Sequence, residues 1–316
     1  MTVRTDWTAL KTLEDTLRSA APSLKMTRDA LMAQYTTLHL GGCADLFAEP
    51  ATPEQVQLLL TEARRAQVPV TIIGHGSNLL VRDGGIRGLV IRIAREMRGI
   101  AVRGEEVRAE AGAMMSAVAM AAAESSLEGL AFASGIPGTI GGGAFMNAGA
   151  YGGEMSQVVT RVEGFHMDGT PFAYTGAEMG FTYRESRLQH EDAVITAVTC
   201  RLRRGNREAI LAEMVELNRR RAEKQPLTVP SAGSTFRRPE GHYASALVDE
   251  CGLKGATVGG AQVSPKHAGF LTNQGGTAAD FLALIAHVQK VVWEQKGVRL
   301  EPEVRILGED TPRSAV

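Results

Sequence analysis

Two glycine-dense stretches without charge are the residues in this chain best suited to hold a reactive ligand. Gly74-His75-Gly76-Ser77-Asn78-Leu79-Leu80 lies between two short β-branched runs. Gly135-Ile136-Pro137-Gly138-Thr139-Ile140-Gly141-Gly142-Gly143 has glycine at every third position over its first seven residues, and Asn147-Ala148-Gly149-Ala150-Tyr151-Gly152 follows. Without a Cβ in the way, successive backbone N–H groups can converge on an anion. Ser77 and Asn78 add hydroxyl and amide donors. A Walker loop would end in Gly-Lys-Ser/Thr, and no lysine stands here. The Rossmann fingerprint would need glycine at Leu79 and a helix after it. By itself the first loop reads equally as a plain turn. Two such loops, more than fifty residues apart, point to one long ligand with a diphosphate. Neither contains Lys or Arg, so backbone dipoles would hold the charge, and a dinucleotide such as FAD fits.

The elements around the loops follow from spacing. Thr52-Pro53-Glu54-Gln55 has the form of a capping box, and Val56, Leu59, Leu60 and Ala63 recur at helical intervals after it. Val68–Ile73, Leu79–Val81 and Leu89–Ile93 read as strands, the last two joined by a turn at Asp83-Gly84-Gly85. A strand is expected at Glu106–Ala111, an alanine-rich helix at Met114–Glu124, and a strand-rich stretch from Val158 to Leu202. Asn206 can cap a helix with Ile210, Met214 and Leu217 on one face. Its closing run, Arg219-Arg220-Arg221-Ala222-Glu223-Lys224, reads as a solvated face suited to a helix C-terminus, with a phosphate site as the alternative. A last helix spans Ala278–Lys296, with Phe281, Leu284, Ile285, Val288, Val292 and Trp293 apolar, before a strand at Val304–Leu307. The first thirty residues carry no specific pattern.

Composition narrows the classes. The 316 residues carry 34 Lys plus Arg against 35 Asp plus Glu, a net charge of −1. That balance, with 5% aromatic residues, disfavours a nucleic-acid partner. Hydrophobic residues make up 44%, enough for a core that must be largely aliphatic. Cys43, Cys200 and Cys251 lie far apart with no CxxC pair, so neither a disulfide scaffold nor a metal centre is expected. Gly129–Gly153 is uncharged, but its nine Gly and one Pro read as backbone wrapping a ligand and not as a membrane span. The expectation is a cytoplasmic protein with no membrane partner.

The loops, together with Thr37-Leu38-His39-Leu40-Gly41-Gly42, Tyr183-Arg184-Glu185-Ser186, Pro230-Ser231-Ala232-Gly233-Ser234-Thr235-Phe236, Lys266-His267-Ala268-Gly269-Phe270 and Glu301-Pro302-Glu303-Val304-Arg305, resemble in order the motifs of the UDP-N-acetylenolpyruvoylglucosamine reductase (MurB) family. The resemblance runs from about Thr37 to Gly308. The short spacing between Arg184 and Pro230 is similar to the family's second type, which lacks an extra substrate loop. It implies an α+β protein with an FAD-binding fold of the vanillyl-alcohol-oxidase (PCMH) type and a C-terminal α+β substrate domain. The divisions expected are 1–93 and 94–205 for the FAD-binding subdomains and 206–316 for the substrate domain.

The resemblance also implies the chemistry: NADPH-dependent reduction of UDP-N-acetylglucosamine enolpyruvate to UDP-N-acetylmuramate for peptidoglycan, through noncovalent FAD. Arg184 would grip the substrate carboxylate, Glu303 would stabilise the enolate from a protonated state, and Ser234 would protonate carbon. Taken singly, these are a surface arginine, a loop carboxylate and a loop serine, and Glu301, Ser231 and Thr235 compete for the last two roles. Cofactor contacts are expected from Gly74, His75, Gly76, Ser77, Asn78, Leu79, Gly135, Pro137, Gly138, Thr139, Gly141, Gly142 and Asn147. Substrate contacts are expected from Tyr183, Lys266, His267 and Asn273, with Lys266 and His267 as a cationic pair for the diphosphate. The chain would be a monomer or weak dimer. The rival expectations are an FAD-dependent sugar or alcohol oxidase and a flavin or UDP-sugar binding protein without turnover.

Overall fold

The computed structural model describes residues 6–311. Helix α1 (Trp7–Ala20) starts where the Asp6 carboxylate accepts from the Thr8 and Ala9 N–H groups. It buries Leu10, Leu13 and Leu17 in the same core as the inner face of α2 (Pro53–Arg65), which begins at its Thr52 cap. Strands β1 (Lys25–Leu31), β2 (Cys43–Glu49), β3 (Val70–Ile73), β4 (Leu79–Val81) and β5 (Ile86–Arg92) complete this part. Four of them form a sheet in the order β1-β2-β5-β3. β2, β5 and β3 run parallel and β1 antiparallel. Their carboxyl ends put Glu49, Arg92 and the start of the first glycine loop along one edge, where an open α/β sheet leaves a crevice for ligands.

The second part is an antiparallel five-stranded sheet. Its order is Pro171–Thr175, Val159–His166, Ala193–Arg201, β7 (Glu106–Glu110) and β6 (Ile100–Arg103). Helices α3 (Met115–Glu124) and α4 (Ile140–Phe145) pack on it. The second glycine loop forms the start of α4, where a Cβ on Gly141 would come within 2.7 Å of the Ala111 Cβ. One apolar core, containing Leu59, Val118, Ile140 and Val198, spans both parts.

Helix α5 (Arg207–Lys224) begins with the Asn206 side chain accepting from Ala209 N–H. Beyond it lies an antiparallel sheet ordered Ser231–Ser234, Phe270–Asn273, Ala261–Val263, Thr257–Val258. Helices α6 (Ala244–Glu250) and α7 (Ala278–Lys296) share its core. Leu38, Leu40 and Leu80, from the N-terminal part, are planted in this second core. The strand Arg305–Leu307 then returns to pair parallel with β4. Trp293 departs from the apolar reading of α7: it is 48% exposed, with the Arg299 guanidinium over its ring. The basic run of α5 is divided too. Arg219 and Arg220 are solvated and paired with Glu216, whereas Arg221 turns inward and is only 8% exposed.

Candidate active site

The two glycine loops face each other. Ser77 donates its hydroxyl to the Pro137 carbonyl at 2.9 Å, and a Cβ on Gly74 would lie 2.8 Å from the Thr139 hydroxyl. Gly76, at φ +76°, is pressed so closely on the Tyr35 carbonyl that a Cβ would stand 2.1 Å from it. Among the described residues, the backbone N–H groups of His75, Gly76, Ser77, Asn78, Gly138 and Thr139 have no acceptor within the protein. Backbone donors left unpaired on two touching loops form a cradle for an acceptor-rich group, and a diphosphate fits it.

Positive charge reaches the cradle from outside the loops, which spacing could not show. The Arg92 and Arg95 guanidinium groups act on His75, whose pKa is lowered first by burial and then by these two charges, so it is a neutral imidazole at pH 7. Arg92 pairs with Glu49 at 3.0 Å and lies over the Tyr35 ring. Behind the second loop, a Cβ on Gly135 would meet the Arg221 Nε at 3.1 Å. Arg221 has no carboxylate partner among the described residues; burial lowers its pKa, and Tyr151 offsets that in part. Its only sequence signal was membership of a basic run.

Glu303 is where the remaining parts meet. The Arg184 Nε donates to its Oε1 at 2.9 Å, and a second Arg184 nitrogen donates to the Gly149 carbonyl at 3.1 Å. The Asn78 amide donates to the Glu303 carbonyl at 3.2 Å, and Arg305 N–H donates to the Asn78 carbonyl. Glu303 N–H donates to the Thr235 carbonyl at 2.7 Å. This places the segment after Ser234 alongside Glu303. The Glu303 side chain is 14% exposed. Burial raises its pKa against the opposing pull of Arg184 and then Arg237. Glu301, the competing carboxylate, is exposed.

Arg184 follows Tyr183 in a tight turn closed by paired hydrogen bonds between Thr182 and Glu185, and it takes φ +58°. A side chain in that left-handed region costs about 1 kcal/mol, so the turn must be held from outside. Asn147 does this: it is fully buried, its amide donates to the Thr182 carbonyl, and its side-chain oxygen accepts from Ser156 N–H. Asn147 therefore supports the Arg184 turn through its side chain. Ser234 ends its strand exposed, and its neighbour Gly233 has φ +77° with open space around it. Of its rivals, the Thr235 hydroxyl is a buried acceptor for Leu271 N–H, and Ser231 sits at the other end of the strand, where its carbonyl accepts from Thr37.

Three expected substrate residues are also engaged in the fold. The Lys266 ammonium donates to the Ala222 carbonyl at 2.6 Å, at the end of α5. The His267 Nδ1 accepts from Gly269 N–H, and burial lowers its pKa, so the pair does not present two cations. Asn273 donates to the Leu38 carbonyl and accepts from Gly275 and Gly276 N–H. Tyr183 is exposed, and it shares the Arg238 guanidinium with the exposed Tyr243.

A two-loop dinucleotide cradle on an α+β scaffold, flanked by a partly buried Arg–Glu pair, has the features of a flavin-binding protein. Comparison with known proteins agrees. A family model described as FAD binding domain matches residues 44–173, and one described as UDP-N-acetylenolpyruvoylglucosamine reductase, C-terminal domain, matches residues 225–307. The reductase of that name from Levilactobacillus brevis is 48% identical over 93% of this chain and 97% of its own. That from Caldanaerobacter subterraneus is 45% identical over 94% and 98%. The crystal structure of the Thermus caldophilus enzyme (MurB) superposes with a TM-score of 0.77 at 35% identity, covering 90% of this chain and 99% of that one. The chain belongs to the UDP-N-acetylenolpyruvoylglucosamine reductase family.

Proposed function

We propose that the protein is a UDP-N-acetylmuramate dehydrogenase, reducing the enol ether of UDP-N-acetylglucosamine enolpyruvate with NADPH in the cytoplasm, as a step toward peptidoglycan. The observation that carries this reading is that Glu303 bonds to Asn78 of the first glycine loop, to Arg184 and, next to Ser234, to Thr235, while Ser77 ties the first loop to Pro137 of the second. Gly74–Leu79 and Gly135–Gly142 would hold FAD, with their free N–H groups on its diphosphate. Bound FAD supplies a hydride acceptor for NADPH and a hydride donor for the substrate's terminal vinyl carbon.

The chain's own residues do the rest. As negative charge develops beside the substrate carboxylate, the Arg184 guanidinium would stabilise it with the N–H donors that Glu303 and Gly149 leave free. Glu303 assists from its protonated state, because an ionised carboxylate would repel the developing charge. The Ser234 hydroxyl, exposed beside open space at Gly233, gives the carbon its proton. Tyr183, Arg238 and Tyr243 offer a cation between two rings, without a carboxylate partner among the described residues, for the nucleotide diphosphate. Residues 1–93, 94–205 and 206–316 would act as two cofactor-binding subdomains and a substrate domain, in a monomer or weak dimer.

The test is an absorption spectrum of the purified protein. A flavin band should bleach with NADPH and return with the enolpyruvyl sugar faster than with oxygen. A colourless protein that takes up no FAD overturns the reading. Colour that returns equally fast with oxygen alone favours an oxidase.

A further inference from the structure

Thr37 touches both halves of the site. Its backbone N–H donates to the Gly76 carbonyl at 3.2 Å, inside the first glycine loop. Its hydroxyl donates to the Ser231 carbonyl at 2.6 Å, on the strand that ends in Ser234. The segment that carries it is stiff. The buried Thr36 hydroxyl donates to the Leu40 carbonyl at 2.9 Å and accepts from Leu40 N–H at 3.3 Å. His39, at φ +56°, donates its N–H to the Thr36 carbonyl. Leu38 and Leu40 are anchored in the C-terminal core, and Asn273 holds the Leu38 carbonyl at 2.9 Å. On the other side, the Tyr35 carbonyl leaves no room for a side chain at Gly76. Residues 35–40 therefore form a rigid spacer, with one face on the cofactor loop and the other on the Ser234 strand.

We propose that Thr37 is a positioning residue: its hydroxyl sets the distance between the cofactor cradle and the Ser234 hydroxyl. This rests on the reaction proposed above. Thr37 reaches no reacting atom and acts through the strand. The requirement is geometric. Proton delivery to carbon must be timed to the charge that the cofactor creates, and a misplacement of about 1 Å can lower a rate about a hundredfold. A threonine hydroxyl is a suitable tie because it is short, has a restricted χ1, and donates along one direction. Thr37→Val keeps the shape and removes the donor. Thr37→Ser keeps the donor.

The two half-reactions are measured separately in the flavin-loaded protein. In Thr37→Val, flavin content and the rate of bleaching by NADPH should stay within about twofold, and so should KM for the enolpyruvyl sugar. The rate of colour return should fall about ten- to a hundredfold, and Thr37→Ser should restore it to within about threefold. Thr36→Val, which removes the Thr36–Leu40 bonds that stiffen the spacer, should show the same split, and it stands in if Thr37→Val does not fold. In flavin-free protein, amide hydrogen exchange over residues 231–235 should be faster in Thr37→Val than in the wild type. Equal slowing of both half-reactions, a loss confined to KM, or a serine variant no better than valine overturns the inference. A wild-type protein whose colour never returns with the sugar overturns the reaction instead, and the exchange comparison then decides whether the spacer holds the strand.

Discussion

Glu303 has three influences on its charge. Burial raises its pKa, and the Arg184 and Arg237 guanidinium groups pull it back without cancelling the rise. A carboxyl whose folded pKa lies above its unfolded one favours the fold when protonated. That contribution is complete below the unfolded pKa and is lost as pH rises through the folded one. The same direction applies to its proposed catalytic role. Colour return with the sugar should slow as pH rises through the Glu303 pKa, while bleaching by NADPH should not follow that titration. Glu303→Gln, which keeps a hydrogen-bond donor and cannot ionise, should flatten the profile; a slowing that survives in Gln would remove Glu303 from the role. Ser234→Ala should leave bleaching fast and slow colour return by about 10²–10⁴-fold, the range of a positioned general acid. Equal slowing of both steps would show that the hydroxyl serves the fold. The type of each of these residues was legible in the sequence motifs. The partner of each was not: Glu303 and Arg184 are separated by 119 positions.

The first glycine loop and the α5 terminus show how far local pattern reaches at the scale of elements. Spacing located β3 and β4 and the loop between them, because alternation of β-branched residues and a glycine break are local facts. It could not show that Gly76 must lack a side chain on account of Tyr35, forty-one positions earlier in the chain. Gly76→Ala should therefore strain the loop twice over, through its positive φ and through the Tyr35 carbonyl, and weaken FAD binding by at least about tenfold in a titration of flavin fluorescence. Binding at wild-type strength would mean that the loop can move aside. Helix α1 escaped the pattern reading although Asp6 caps it and Leu10, Leu13 and Leu17 are buried. Its apolar stripe is narrow, and its stability comes from packing into a shared core with α2.

The C-terminal part is fastened to the rest of the molecule by the return strand on β4, by Leu38, Leu40 and Leu80 in its core, and by Asp83, whose carboxylate accepts from Ala278 and Ala279 N–H at the start of α7. A crevice between parts fastened in this way can enclose a flavin without a covalent bond. None of the three cysteines lies within either glycine loop in the sequence, and Cys200 is buried, with its thiol pushed up to about 12 by desolvation. Acid precipitation should release the yellow colour into the supernatant; colour that stays with the pellet would show covalent attachment, with His75 the first place to look. No helix among the described residues is long and apolar enough to cross a membrane.

The sequence by itself determined the periodic elements, the two glycine loops and the ordered motifs, because each depends on neighbours within a few residues. Only the tertiary structure decided which charges face which. Arg221 turned inward from an apparently solvated run, Lys266 was drawn to the end of α5, and Asn147 and Asn273 became supports for other segments. The physical reason is that hydrogen bonds and desolvation depend on distance in space. The bonds from Thr37 to Ser231 and from Arg184 to Glu303 join positions 194 and 119 residues apart, so only the packing of both cores fixes them.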